Sequence, residues 1–167
     1  MKIEELENKI KAFQNEIVKL QEEVEKLKAE KKSKKCRVGR GGYYYYIESN
    51  NLVAAIYEGY TKGDNYRYNI HNYFKTEEEA QAVADNKKTH IELMELAEKL
   101  NTEPIDWENC YQEKIYIGYC YGDKSIYQES VKQCKHSNTV YCTNENFKDE
   151  AIKRIGEERL IKYLKGI

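Results

Sequence analysis

The sequence predicts an α+β fold: an N-terminal parallel coiled-coil helix followed by a Tyr-rich, largely antiparallel sheet with packed helices. Three observations carry that expectation. Apolar side chains recur through the first thirty or so residues with a period of about 3.5, aromatic runs bounded by turn signals follow residue 42, and capped helical patterns follow the aromatic runs.

Ile3, Ile10, Ile17 and Val24 take heptad position a, and Leu6, Phe13, Leu20 and Leu27 take d. β-Branched residues at a with Leu at most d positions suit two parallel strands. Between parallel copies, Lys2 faces Glu7 and Glu23 faces Lys28, while Lys9–Gln14 and Glu16–Gln21 are neutral, so no pair repels. A homodimer is therefore favoured. The bulk of Phe13 leaves a trimer, a tetramer or an antiparallel bundle open, and a helix folded back on its own domain is the intramolecular alternative. The repeat lapses where Lys31 and Lys34 fall at the next a and d positions. Residues 1–32 are thus assigned as an oligomerisation helix, a rod of about 45 Å.

Residues 33–42 read as a basic hinge. Residues 1–42 hold twelve Lys and Arg against eight Glu, and much of the excess is Lys31, Lys32, Lys34, Lys35, Arg37 and Arg40. Gly39, Gly41 and Gly42 form no phosphate loop, because no Lys followed by Ser or Thr opens a helix after them.

Residues 43–167 read as the α+β domain. Tyr43 to Glu48, Leu52 to Thr61 and Tyr66 to Tyr73 are expected to form a three-stranded meander, with Lys62-Gly63-Asp64-Asn65 as a turn. Thr76 with Glu79 is a capping box opening a helix that carries Ala80, Val83, Ala84, Ile91, Leu96 and Leu100, with a bend expected at Asn86-Lys87-Lys88. Asn101 to Pro104 ends it, and Trp107 is expected to plug the edge of the core.

Tyr111 to Tyr121, a turn at Gly122-Asp123, Ser125 to Ser130 and Thr139 to Cys142 supply further strands. Thr143 or Asn144 then caps a helix with Phe147, Ala151, Ile152 and Ile155, broken by Gly156 before a last helix from Glu157 to Leu164. Tyr73-Phe74-Lys75-Thr76 echoes Val140-Tyr141-Cys142-Thr143, each ahead of a helix. That echo suggests two meander-plus-helix halves, 43–101 and 107–167.

The length suits one domain with an appendage, and the Tyr content, 16 of 20 aromatic residues, together with a single Pro argues against disorder. Five widely spaced cysteines read as free thiols in a reducing compartment. With neither a signal peptide nor an apolar run long enough to span a bilayer, the expected location is the cytoplasm.

His71, His90 and His136 show no catalytic spacing, so no catalytic residues are assigned and the chain is read as non-enzymatic. Cys134, His136 and Cys142 lack the close Cys knuckles of zinc sites, so no metal or cofactor is expected. Lys31, Lys32, Lys34, Lys35, Arg37 and Arg40, with Tyr43, Tyr45, Tyr66 and Tyr68, are the residues expected to meet a partner. Basic side chains attract phosphates and tyrosines stack on bases, while Tyr and Arg also favour protein interfaces.

Tyr43-Tyr44-Tyr45-Tyr46-Ile47, the run from Asn72-Tyr73-Phe74-Lys75-Thr76 to Ala80, Asn146-Phe147-Lys148 and Ile155-Gly156-Glu157-Glu158 carry a resemblance. In them the chain resembles small uncharacterised accessory proteins of phages and prophages of low-GC Gram-positive bacteria. That resemblance implies a bacterial host and a role against host defence or on host or phage nucleic-acid processes. The expected function is a dimeric, phage-encoded inhibitor or modulator of a host protein or nucleoprotein. Direct DNA or RNA binding and sequestration of a small nucleotide signal are the alternatives.

Overall fold

The computed structural model describes residues 9–11, 13, 14, 16, 17, 19–21 and 37–166. The chain divides into a unit Met1–Gly39 and a unit Arg40–Ile167. In the first, the described residues from Lys9 to Gln21 are helical. Ile10, Phe13, Ile17 and Leu20 are each more than half exposed in the single chain. Ile3, Leu6, Val24 and Leu27 of the expected seam lie outside the described residues.

The second unit is a mixed α+β body with two separate two-stranded antiparallel sheets. Its elements in order are β1 (Tyr43–Ile47), β2 (Val53–Tyr57), α1 (Lys62–Asn69), α2 (Glu77–Leu100), β3 (Lys114–Cys120), β4 (Ser125–Val131), α3 (Phe147–Ile155) and α4 (Glu157–Lys165). β1 pairs with β2 from Tyr43↔Tyr57 to Ile47↔Val53, and β3 with β4 from Lys114↔Val131 to Cys120↔Ser125. Asn51, at φ 66°, closes the first hairpin, and Lys124, at φ 51°, the second.

The expected third strand of the first meander is instead a helix. Thr61 caps α1: its hydroxyl accepts from the Asp64 N–H at 3.2 Å, while the Asp64 carboxylate accepts from the Thr61 N–H at 2.9 Å. This reciprocal box turns the supposed Lys62–Asn65 turn into a first helical turn. The pairing onto the outer edge of β1 is one antiparallel bridge, Tyr45↔Phe74, just past the expected strand. Thr139 to Cys142 is likewise reduced to the bridge Ile115↔Cys142. The turn at Asn138, at φ 59°, and the hydrogen bond from the His136 N–H to the Tyr141 hydroxyl at 2.6 Å hold the approach to Cys142 in a loop.

α2 begins as expected at Thr76, whose hydroxyl accepts from the Glu79 N–H at 3.2 Å; the Glu79 carboxylate returns to the Lys75 N–H. The helix runs unbroken through Asn86-Lys87-Lys88, where a bend was expected. α3 starts at Asn146, not at Thr143 or Asn144. Those two residues bond the end of α2: the Thr143 N–H donates to Asn101 Oδ1 at 2.8 Å, and Asn144 Nδ2 to the Leu100 carbonyl at 3.3 Å.

α2 spans about 36 Å and serves both hairpins. Ala80 and Ala84 are buried near its start, by the first hairpin, and Asn51 Nδ2 bonds the Ala84 carbonyl at 2.9 Å. Leu93, Leu96 and Ala97 near its end enter a core with Ile115, Ile117, Ile126, Cys142, Phe147, Ala151, Ile155 and Leu160. The ion pairs Glu92–Arg159 at 2.8 Å and Glu95–Arg154 at 3.0 Å tie α2 to α4 and α3. No helix among the described residues is long and apolar enough to cross a membrane.

Candidate functional site

The first hairpin carries tyrosines on both faces of β1, and the polar groups of the two hairpins are used differently. In the first, Tyr44 is fully buried and stacks on Tyr73 with ring centroids 4.0 Å apart. Its hydroxyl donates to Asp64 Oδ1 at 2.7 Å and accepts from Arg67 Nη1 at 3.1 Å. Asp64 Oδ2 accepts from the Gly59 N–H, the Thr61 N–H and the Thr61 hydroxyl at 3.1, 2.9 and 2.8 Å. Burial alone would raise the Asp64 pKa, but the bonds from Tyr44, Thr61 and Gly59 outweigh it and hold the carboxyl well below the usual carboxylate range. The Arg67 guanidinium lies 4.0 Å from the Tyr46 ring centre. The network clamps α1 onto the face of β1 that carries Tyr44 and Tyr46.

Of the residues expected to meet a partner, Arg40, Tyr43, Tyr45, Tyr66 and Tyr68 belong to the unit Arg40–Ile167. Lys31, Lys32, Lys34 and Lys35 lie outside the described residues. Arg37 is half-buried and Arg40 exposed. Tyr43 is exposed, its ring 3.9 Å from that of Tyr57 and its hydroxyl bonded to the Tyr57 hydroxyl. Tyr45 is half-buried on the same face of β1. Tyr66 and Tyr68 belong to α1, on the opposite side of the hairpin, with Tyr66 exposed and Tyr68 edge-on to Tyr73 at 5.4 Å. The structure therefore separates Tyr43 and Tyr45 from Tyr66 and Tyr68.

The second half contains a cleft. A cavity of about 650 Å³ opens beside β3, between that strand, the 138–140 loop and the facing sides of α2 and α4. Tyr116, Tyr119, Tyr127 and Tyr163 line it together with His90 and His136. The Tyr163 hydroxyl sits 2.6 Å from His90 Nδ1, and burial pushes its pKa up.

On the outer face of β3, the Tyr116 hydroxyl donates to Glu129 Oε2 at 2.6 Å; that bond, then burial, raises its pKa. The Tyr116 ring lies 5.4 Å from His136 and 6.3 Å from Tyr127. Tyr127 crosses directly over Gly118, where any Cβ would strike its ring, so glycine is what lets that ring lie flat against the strand.

Lys114, fully buried at the start of β3, frames this face. Its ammonium donates to the carbonyls of Asn109, Gln112 and Lys132 at 2.9, 3.0 and 2.7 Å, using all three of its protons. Trp107, half-buried, packs edge-on to the buried Tyr141 at 4.9 Å, and Tyr116 lies against the same Tyr141 ring.

The arrangement offers rings for stacking and a few fixed polar groups, the makeup of a small-molecule site. A wider groove of about 910 Å³ between α2 and α4 is lined mostly by charged and polar residues, with no ring among them. Cys110, Cys120, Cys134 and Cys142 are free thiols, and burial raises the Cys142 pKa. Among the described residues no three His, Cys, Asp or Glu converge as metal ligands.

Sequence reasoning passed over His90, Tyr116, Tyr127 and Tyr163 as a group, because the His90–Tyr163 contact spans 73 positions. The one local signal was Gly118 inside an aromatic strand, which marks a close approach. Comparison with family models, with curated proteins and with solved structures finds no match to the chain.

Proposed function

We propose that this chain is a non-catalytic binding protein that holds a small ring compound of the nucleotide kind in the cleft beside β3, and that works as a homodimer. The observation that carries the reading is the cleft: about 650 Å³ of space faced by tyrosine and histidine rings, with hydrogen-bonding groups among them. Occlusion of a host protein or nucleoprotein, and direct DNA or RNA binding, draw instead on Lys31, Lys32, Lys34 and Lys35, outside the described residues, together with Arg37, Arg40, Tyr43, Tyr45, Tyr66 and Tyr68. In the phage setting that the sequence resemblance implies, such a protein would act by withdrawing a nucleotide signal of the host.

Denaturing protein purified from bacterial cells is expected to release a base-absorbing compound at close to one per chain, identified by ultraviolet absorbance and mass spectrometry. Leu164→Trp, which fills the cleft with a ring, is expected to abolish that release. Protein that releases nothing and gains no affinity for added nucleosides would sink the reading.

Pairing rests on Ile10, Phe13, Ile17 and Leu20, helical and more than half exposed in one chain. A seam of this kind is buried by a second copy. The wild type is expected at the mass of two chains by light scattering, and Leu20→Asp at the mass of one with its far-ultraviolet spectrum largely kept. A monomeric wild type refutes pairing and leaves the ligand reading untouched.

A further inference from the structure

The two hairpins share one bridging pattern, and a difference within it falls at the cleft. In each, the first strand takes an antiparallel bridge from the segment that leads into the next helix. Tyr45 and Phe74 exchange bonds of 2.9 and 2.8 Å, and Ile115 and Cys142 exchange bonds of 2.7 and 2.8 Å. Two residues along β1, the edge continues through a side chain. The Ile47 N–H donates to Asn72 Oδ1 and the Ile47 carbonyl accepts from Asn72 Nδ2, both at 2.7 Å. Asn72 lies two residues before Phe74, and its carboxamide stands in for the missing strand.

The matching positions in the second half are Ile117, two residues past Ile115, and Val140, two residues before Cys142. Valine has no polar side-chain atom with which to repeat the Asn72 bonds. Alternate residues of an antiparallel strand turn their N–H and C=O to the same edge, so the Ile117 groups face the way those of Ile115 do. Among the described residues, the Ile115↔Cys142 bridge is the only backbone pairing on that edge of β3. Ile117 and Val140 are both walls of the cleft.

We infer that the β3 edge at Ile117 is the reading head of the cleft, and that it binds the adjacent donor and acceptor of a nucleobase as Ile47 binds the Asn72 carboxamide. This rests on the ligand-binding reading above. A carboxamide offers one donor and one acceptor side by side in a plane, and the N–H and C=O of a lactam base such as uracil or guanine offer the same pair. The Tyr and His rings of the cleft supply stacking for the base plane. A through-running peptide strand fits less well, because the Ile115↔Cys142 bridge closes one end of the open edge, whereas a compact ring needs only the Ile117 position.

The test is a titration of the ¹⁵N-labelled full chain with uridine, guanosine and their blocked partners, 3-methyluridine and 1-methylguanosine, whose methyl group removes the base-edge donor. In the free protein the Ile117 amide is expected to exchange with solvent faster than the Ile47 amide. Uridine or guanosine is expected to shift the Ile117 amide resonance and slow its exchange at least tenfold, and the matching methylated nucleoside to bind at least tenfold more weakly. Val140→Asn, which supplies an internal carboxamide, is expected to weaken nucleoside binding by a similar factor.

Equal binding of free and methylated nucleosides, with cleft residues perturbed and the Ile117 amide unmoved, overturns the edge assignment while leaving the ligand reading standing. Absence of any nucleoside binding overturns the edge assignment as well. The ligand reading then falls only if denaturation also releases no ring compound. The methylated nucleosides keep the test decisive on the wild-type protein even where Val140→Asn fails to fold.

Discussion

Asp64→Asn is expected to destabilise the chain by about 3 kcal/mol, the scale of leaving buried donors without an acceptor. Asp64 is almost wholly buried and both carboxylate oxygens are in use. If the amide nitrogen takes the place of Oδ2, the Gly59 N–H, the Thr61 N–H and the Thr61 hydroxyl all lose their acceptor. If it takes the place of Oδ1, the Tyr44 hydroxyl must accept from it as well as from Arg67, and its own proton is stranded. Neither orientation restores the network, and the capping box of α1 weakens with it.

The same substitution should change how stability depends on pH. The folded carboxyl titrates below its unfolded value of about 3.9, so its contribution is present above that value and is lost as pH falls through the folded pKa. Burial and the bond to Asp64, opposed by Arg67, push Tyr44 up to about 12. That contribution is complete below about pH 10 and is lost as pH rises toward about 12. Urea denaturation across both ranges should show the wild type losing stability on each limb and Asp64→Asn with a flatter acid limb. An acid limb identical in the two proteins would show that Asp64 is not the group responsible.

Lys114→Met is expected to cost a similar amount, about 3 kcal/mol, since it leaves three carbonyl oxygens without their donor. The methionine fills much of the volume but offers no proton to Asn109, Gln112 or Lys132. The consequence reaches the cleft, because those carbonyls belong to the segments on either side of β3 and β4 that lead to Trp107 and His136. The Trp107 near-ultraviolet signal should weaken and any cleft ligand should bind less tightly.

Lys135→Met is the control. Lys135 also lies near the Trp107 ring, at 5.5 Å, but it is exposed, and losing it should cost about 0.5 kcal/mol. Equal losses for the two lysines would refute the three-carbonyl clamp.

Much of the local structure could be read from short stretches of chain. The two hairpins, the turn before Ser125, the Thr76 cap and the Gly156 break are set by neighbouring residues, and each falls where the residue pattern indicates. The error at Tyr66 to Tyr73 has the same kind of cause, since Thr61 and Asp64, which form a capping box, have the same spacing in the chain as Thr76 and Glu79. The aromatic content of 66–73 suits a strand, whereas the cap decides how the segment begins.

The sequence by itself determined the elements built from local bonds: hairpin turns, helix caps and the heptad spacing of the N-terminal helix. It also determined that position 72 carries a carboxamide and position 140 an aliphatic side chain. Only the tertiary structure decided what those facts mean. Bridging single residues of distant segments onto β1 and β3 depends on how α2 carries both halves, and bringing His90 to Tyr163 depends on α4 packing against α2. Burial and long-range pairing are cooperative properties of the packed chain, so no window of neighbouring residues contains the cleft.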